Sequence, residues 1–172
     1  MKILKYFFTI LFLLLPLKVN ALIEVDITRG NLNPLPIAVS PMSIDESSRK
    51  NFEKILKKKN IGNEISLVVE KNLKTTGLFN PLNKDAFLQA PDIANLKPRF
   101  EDWNLIKAQA LITGKVNFID EKLRVEFRLW DVLAGKEMMA LAFTTVPNNW
   151  RRVGHIITDK VYERLTGEKG YF

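Results

Sequence analysis

The chain has 172 residues, 47% hydrophobic and 26% charged, with 8 Gly, 8 Pro, no Cys, one His and a formal net charge of +7. Such a composition suits one ordinary globular domain, excludes whole-chain disorder, and shows none of the glycine or proline periodicity of a fibre. The lack of cysteine removes a disulfide framework, a thiol nucleophile, a thiolate metal site and a lipoprotein-type lipid anchor.

Met1-Lys2-Ile3-Leu4-Lys5 is a short basic start, Tyr6 to Leu17 carries no charge, and Val19-Asn20-Ala21 puts compact residues at a cleavage position. The pattern predicts a signal peptide over 1–21, cleaved after Ala21, and export of the rest. The uncharged stretch of twelve residues is too short for the ~20 that span a bilayer, and Lys18 closes it, so no transmembrane anchor is expected after cleavage. The mature chain, 22–172, would have 151 residues, and loss of Lys2, Lys5 and Lys18 lowers the net charge from +7 to +4.

Within the mature chain, Ile23, Val25 and Ile27 alternate with polar residues, which is strand periodicity, and Gly30-Asn31 ends the run. Leu35 to Val39 is a second short strand flanked by Pro34 and Pro41, which predicts an edge position or pairing in its middle only. Ser43-Ile44-Asp45-Glu46 has the form of a capping box with Ser43 as N-cap, opening a helix whose apolar stripe is Phe52, Ile55 and Leu56 and whose end carries Lys57-Lys58-Lys59. Ile65, Val68, Val69 and Leu73 recur at helical spacing, and Gly77 is placed for the left-handed residue beyond the helix end. Leu78 to Leu82 is expected to fold back on the core. Asn83 to Pro98 has no sustained period and predicts a loop with one helical turn.

Glu101 to Lys107 predicts a short helix burying Trp103 and Ile106, and Ala108 to Val116 a strand interrupted by Gly114. Leu123, Val125, Phe127 and Leu129 alternate with Arg124, Glu126, Arg128 and Trp130, Leu133 to Lys136 turns the chain, and Met138 to Val146 returns. Pro147-Asn148-Asn149 then offers an N-cap, and Trp150, Val153, Ile157, Val161 and Leu165 share one helical face that ends at Gly167. Helices with single apolar stripes must pack on a sheet. The expected fold is α/β of the α+β kind, a mixed sheet of about five strands with two main helices on one face.

No residue set announces catalysis, a metal or a cofactor. The only histidine, His155, lies within the final helical pattern and reads as a satisfied, partly buried polar group. Of the carboxylate pairs Glu101-Asp102 and Asp120-Glu121, the second reads as solvated residues of a hairpin turn, and the scattered glycines form no phosphate cradle. The basic group Arg49, Lys50, Lys54, Lys57, Lys58 and Lys59 is interleaved with Asp45, Glu46 and Glu53. It reads first as a solvated helix face, with contact to an anionic surface as the alternative, and export argues against nucleic acid. What remains is Leu22 to Arg29: a strand at a mature N-terminus, tethered on one side, can pair with its own sheet or with a foreign strand.

The run from Trp150 to Phe172, with Gly154-His155, Asp159-Lys160-Val161-Tyr162-Glu163-Arg164-Leu165-Thr166-Gly167 and Lys169-Gly170-Tyr171-Phe172, resembles the signature that closes the N-terminal domain of the TolB family of the Tol-Pal system. Val25-Asp26-Ile27-Thr28-Arg29-Gly30, Pro36-Ile37-Ala38-Val39 and Thr76-Gly77-Leu78-Phe79-Asn80-Pro81-Leu82 resemble its first strand, second strand and helix exit. The likeness covers essentially the whole of 22–172.

The resemblance implies a periplasmic, non-enzymatic protein-protein interaction domain of the envelope machinery, serving outer-membrane integrity, cell division and the cell cycle, and protein import or transport. It implies that Leu22, Ile23, Glu24, Val25, Asp26, Ile27, Thr28 and Arg29 bind the C-terminal domain of TolA, with strand addition as the mechanism. Members of the family continue from the 168–172 linker into a β-propeller that holds most of the contact with the lipoprotein Pal. This chain is expected to be a piece of a longer product or a stand-alone domain, and Pal binding is expected only where a propeller is present. The 43–59 segment is longer and more basic than the family pattern and reads as a helical insertion. The competing reading is another periplasmic module of similar fold, such as a lipoprotein-like activator of cell-wall synthesis.

Overall fold

Alternation of apolar and polar side chains carries the centre of the fold. Leu123, Val125, Phe127 and Leu129 are buried on one face of a strand over Lys122–Asp131, and Arg124, Glu126 and Arg128 project from the other. The computed structural model describes residues 23, 33–58 and 60–172. The expected signal peptide and the expected first strand, Ile23 excepted, therefore lie outside the described residues. Through the described chain run β1 (Leu35–Val39), β2 (Ser43–Ile44), α1 (Glu46–Leu56), α2 (Ile61–Thr75), β3 (Phe79–Pro81), α3 (Pro91–Leu96), α4 (Phe100–Leu105), β4 (Ala110–Ile119), β5 (Lys122–Asp131), β6 (Lys136–Thr145) and α5 (Trp150–Thr166).

The sheet has the order β3-β1-β4-β5-β6, with β2 pairing β4 beyond the end of β1. β1 is parallel to β3 and β4, whereas β5 is antiparallel to both of its neighbours, so the sheet is mixed as expected. The main core gathers the inward residues of β1, β4 and β5 under Phe52 of α1, Ile61, Ile65, Val69 and Leu73 of α2, and Val153, Ile157, Val161 and Leu165 of α5. Each of these large side chains, fully buried, contributes about 1.5–3 kcal/mol. Packing, rather than helix propensity, holds the helices in place.

Several expectations are corrected. β1 is not an edge: Leu35–Ile37 pairs β3 and Ile37–Val39 pairs β4. Pro36 is tolerated because the Pro36 carbonyl accepts from Gln109 N–H, while the Leu35 N–H and Ile37 carbonyl face β3. Its missing donor thus faces the stretch just before β4 starts, where no ladder bond is lost. Ser43 is not the N-cap. It pairs with Lys115 in β2, its hydroxyl donating to the Gly114 carbonyl at 3.3 Å, and Asp45 caps α1 by accepting from Ser48 N–H at 2.8 Å. Ile55 does not join the α1 stripe and is exposed. Gly114 does not interrupt β4: it pairs with Phe127, and an added Cβ would lie 2.8 Å from the Glu126 carbonyl oxygen and 2.9 Å from Met42 Cγ.

The stretch from 79 to 98 holds more order than its sequence suggests, and α4 matches the short helix expected over Glu101 to Lys107. Phe79–Pro81 forms β3, and α3 and α4 fold over the far face of the sheet. There Trp103, Leu111, Trp130 and Val132 make a second apolar cluster with Leu82, Phe87, Phe100 and Ile106. The second face is therefore partly covered. Gly77 has φ +73° one residue beyond the Thr76 cap of α2, and Gly167 has φ +77° at the end of α5, both as expected.

Candidate interaction surface

Of the eight residues expected to bind a partner, the structure describes Ile23, half-buried against the main core. Leu22 and Glu24 to Arg29 lie outside the described residues. The described sheet ends in two outer strands, the three-residue β3, which contains Pro81, and the ten-residue β6. A short edge with a proline is a poor template for a further strand, whereas β6, uncharged from Met138 to Thr145, offers ten residues of backbone.

Several of the residues weighed for chemistry have structural partners. Asn72 on α2 donates through Nδ2 to His155 Nδ1 at 2.9 Å and to Thr158 Oγ1 at 3.2 Å. An amide nitrogen only donates, so Nδ1 of His155 accepts and the ring fastens α5 to α2. Asp102 accepts from Arg99 Nη2 at 2.7 Å and from Gln89 Nε2 at 3.0 Å, and this Arg99 contact above all holds its carboxyl below the ordinary range. Asp120 and Glu121 are the exposed pair of a two-residue hairpin, with φ +49° and +58°. Glu46 is paired with Arg49 and Lys50, and Glu64 with Lys58.

Two shallow depressions open on the far face. One, of about 260 Å³, lies between Ser43, Asp92, Ile93, Asn95, Leu96 and Lys115. The other, of about 190 Å³, runs over Glu126 to Arg128 and Ala140 to Ala142. Neither contains Asp45, Asp102 or Tyr162, the described groups whose pKa values are displaced. Among the described residues no group of three His, Cys, Asp or Glu side chains could hold a metal ion, and no helix is long and apolar enough to cross a membrane.

The closing motif explains itself residue by residue. Gly154 lets α5 approach α2, since an added Cβ would lie 2.8 Å from Val68 Cγ1. Tyr162 and Leu165 are buried, and the Thr166 hydroxyl donates to the Tyr162 carbonyl at 2.8 Å. After Gly167 the chain doubles back along α5. Asp159 Oδ1 accepts the Phe172 N–H at 2.9 Å, and the rings of Tyr171 and Phe172 pack on Tyr162 at 5.6 and 6.5 Å. This contact between helix and C-terminal tail was not found from the sequence; the pairing of Asp159 with a Gly-x-Phe end was its one visible sign.

A mixed sheet with its main core under helices on one face, α3 and α4 on the other, and a tail clasped to its last helix defines an α+β domain. The profile described as the TolB amino-terminal domain matches residues 23–138, and the chain belongs to that family. The Tol-Pal system protein TolB of Pelagibacter ubique (strain HTCC1062) is 79% identical over 170 residues, 99% of this chain and 38% of that protein. The chain therefore spans well under half the length of this curated relative. The crystal structure of TolB from Acinetobacter baumannii superposes with a TM-score of 0.62 at 20% identity, over 80% of this chain and 30% of the other, a likeness of fold alone. Of the two readings of the sequence, family membership selects the TolB type.

Proposed function

We propose that this domain is exported to the periplasm by cleavage after Ala21 and serves the Tol-Pal system as a non-enzymatic adaptor. In this reading Leu22 to Arg29 are lent as a strand to the C-terminal domain of TolA. The carrying observation is the alternation of Ile23, Val25 and Ile27, closed by Gly30, in a chain of the TolB family. Main-chain hydrogen bonds supply affinity in such a pairing, and alternate side chains supply specificity. The half-burial of Ile23 against the main core supports a second, intramolecular resting place for this residue. Partner binding and self-packing would then compete, a switch between two states of one segment. Outer-membrane integrity, cell division and protein import or transport are the processes this adaptor would serve, and Pal contact would require the propeller of a longer protein.

A proline scan across Glu24 to Thr28, read by binding to the TolA C-terminal domain, tests the pairing. Strand addition predicts losses at alternate positions, because only every second N–H faces the partner. Uniform tolerance of proline would refute it.

A further inference from the structure

Helices α2 and α5 run parallel, as their contacts show: Lys58, just before α2, lies over Trp150, Val68 faces Gly154, and Asn72 bonds to Thr158. Both helices therefore start at the same end of the domain, and α1, which contacts the Pro147–Asn149 turn and ends a few residues before α2 begins, ends there too. Two cations lie over the Trp150 ring, with Lys58 Nζ at 5.1 Å and Arg151 Cζ at 4.6 Å from its centre. Lys54, Lys57 and Arg152 are exposed around this pair. Among the described residues Lys58 alone of these five cations has an acidic partner within ion-pair distance, Glu64 at 3.4 Å.

The placement runs against local preference. α1 and α2 carry Glu46 and Glu64 in their first turns, but the first turn of α5 has Arg151 and Arg152 and no acid. Cations at a helix start are unfavourable by a few tenths of a kcal/mol or more each. Sequence choices that oppose local stability concentrate where a surface has a task. Two exposed aliphatic side chains belong to the same chain segments, Ile55 at 48% next to Lys54 and Val146 at 55% just before the Pro147–Asn149 turn. Basic groups with protruding aliphatics fit the headgroup zone of an anionic bilayer, where charge attracts and the aliphatics insert. An acidic protein segment would leave Ile55 and Val146 without a role.

We propose that the cationic end built by Lys54, Lys57, Lys58, Arg151 and Arg152 around Trp150, with Ile55 and Val146, rests on the surface of an anionic phospholipid bilayer. None of these residues belongs to the strand-lending segment, so deleting 22–29 should leave vesicle binding intact. The test is flotation of residues 22–172, which keep every core element from β1 to α5, with vesicles of phosphatidylcholine alone or with one third phosphatidylglycerol. Binding is expected to the anionic vesicles only, and to weaken at high salt. Arg151→Gln and Arg152→Gln should each lower partitioning about fivefold, which corresponds to the roughly 1 kcal/mol a basic residue contributes near an anionic surface. Ile55→Ser should lower it further, whereas Lys71→Gln and Lys74→Gln, at the opposite end of α2, should leave it unchanged. Equal losses from both ends would reduce the effect to net charge and overturn the proposal. So would absence of anionic binding, or vesicle binding that Ile55→Ser leaves intact and polyglutamate displaces.

Discussion

Asp159 Oδ1 accepts the backbone N–H of Phe172 at 2.9 Å, joining the middle of the last helix to a residue thirteen positions further on. The contact requires Gly170, since a Cβ there would stand 2.2 Å from the same carboxylate oxygen. Gly170→Ala must therefore lift the tail from α5. Hydrogen exchange at the Phe172 amide is expected to accelerate by at least tenfold in Gly170→Ala and Asp159→Ala, the loss of a bond worth about 1.5 kcal/mol with a charged acceptor. Unchanged protection would show that the tail is held by its rings alone.

The approach of α2 to α5 predicts a rescue. Gly154→Ala pushes a methyl group against Val68 Cγ1 and Cβ, at 2.8 and 2.9 Å from the ideal Cβ position. Overpacking of this kind costs about 1–3 kcal/mol. Val68→Ala added to Gly154→Ala should recover part of that loss, so that a double-mutant cycle by urea unfolding gives a favourable coupling. Strictly additive losses would contradict the contact.

Asp45 sets an acid dependence. Its carboxylate accepts from the Ser48 N–H and from the Ser48 hydroxyl, each at 2.8 Å, and these bonds, the backbone one foremost, lower its pKa from 3.8. A lowered folded-state pKa means stability present above 3.8 and lost as the pH falls through the folded value. Asp45→Ala should cost about 1 kcal/mol at neutral pH, as lost caps do, and less as the solution is acidified below that range. Thermal unfolding across acidic pH measures it; a constant difference at every pH would rule out the carboxylate as the cause. The same Ser48 hydroxyl accepts from Phe118 N–H at 2.8 Å, so Ser48→Ala is expected to loosen α1 from β4 as well.

How much of this was legible in the sequence depended on periodicity. β5 and α5 bury side chains at regular spacing over ten or more residues, and their sequence showed it. β1 was misplaced at an edge because a proline excludes a strand from the interior only if its nitrogen faces a ladder, and that direction depends on where β4 begins. Ser43 lost its capping role to Asp45 because two residues of pairing with β4 extended the chain through Ile44. The stretch carrying α3 had no period because that six-residue helix is held by a few contacts rather than by a stripe, whereas α4 showed in the spacing around Trp103. Ile23 stands half-buried where the candidate strand starts, and the remainder of that strand was legible only as alternation.

The central claim is that the first mature strand is the part lent to a partner. Isothermal titration of the TolA C-terminal domain with residues 22–172, and with the same chain lacking 22–29, tests it most directly. The account predicts measurable binding by the first and none by the second, with both showing the same thermal unfolding of the β1 to α5 core. Equal binding by the shortened chain would contradict it.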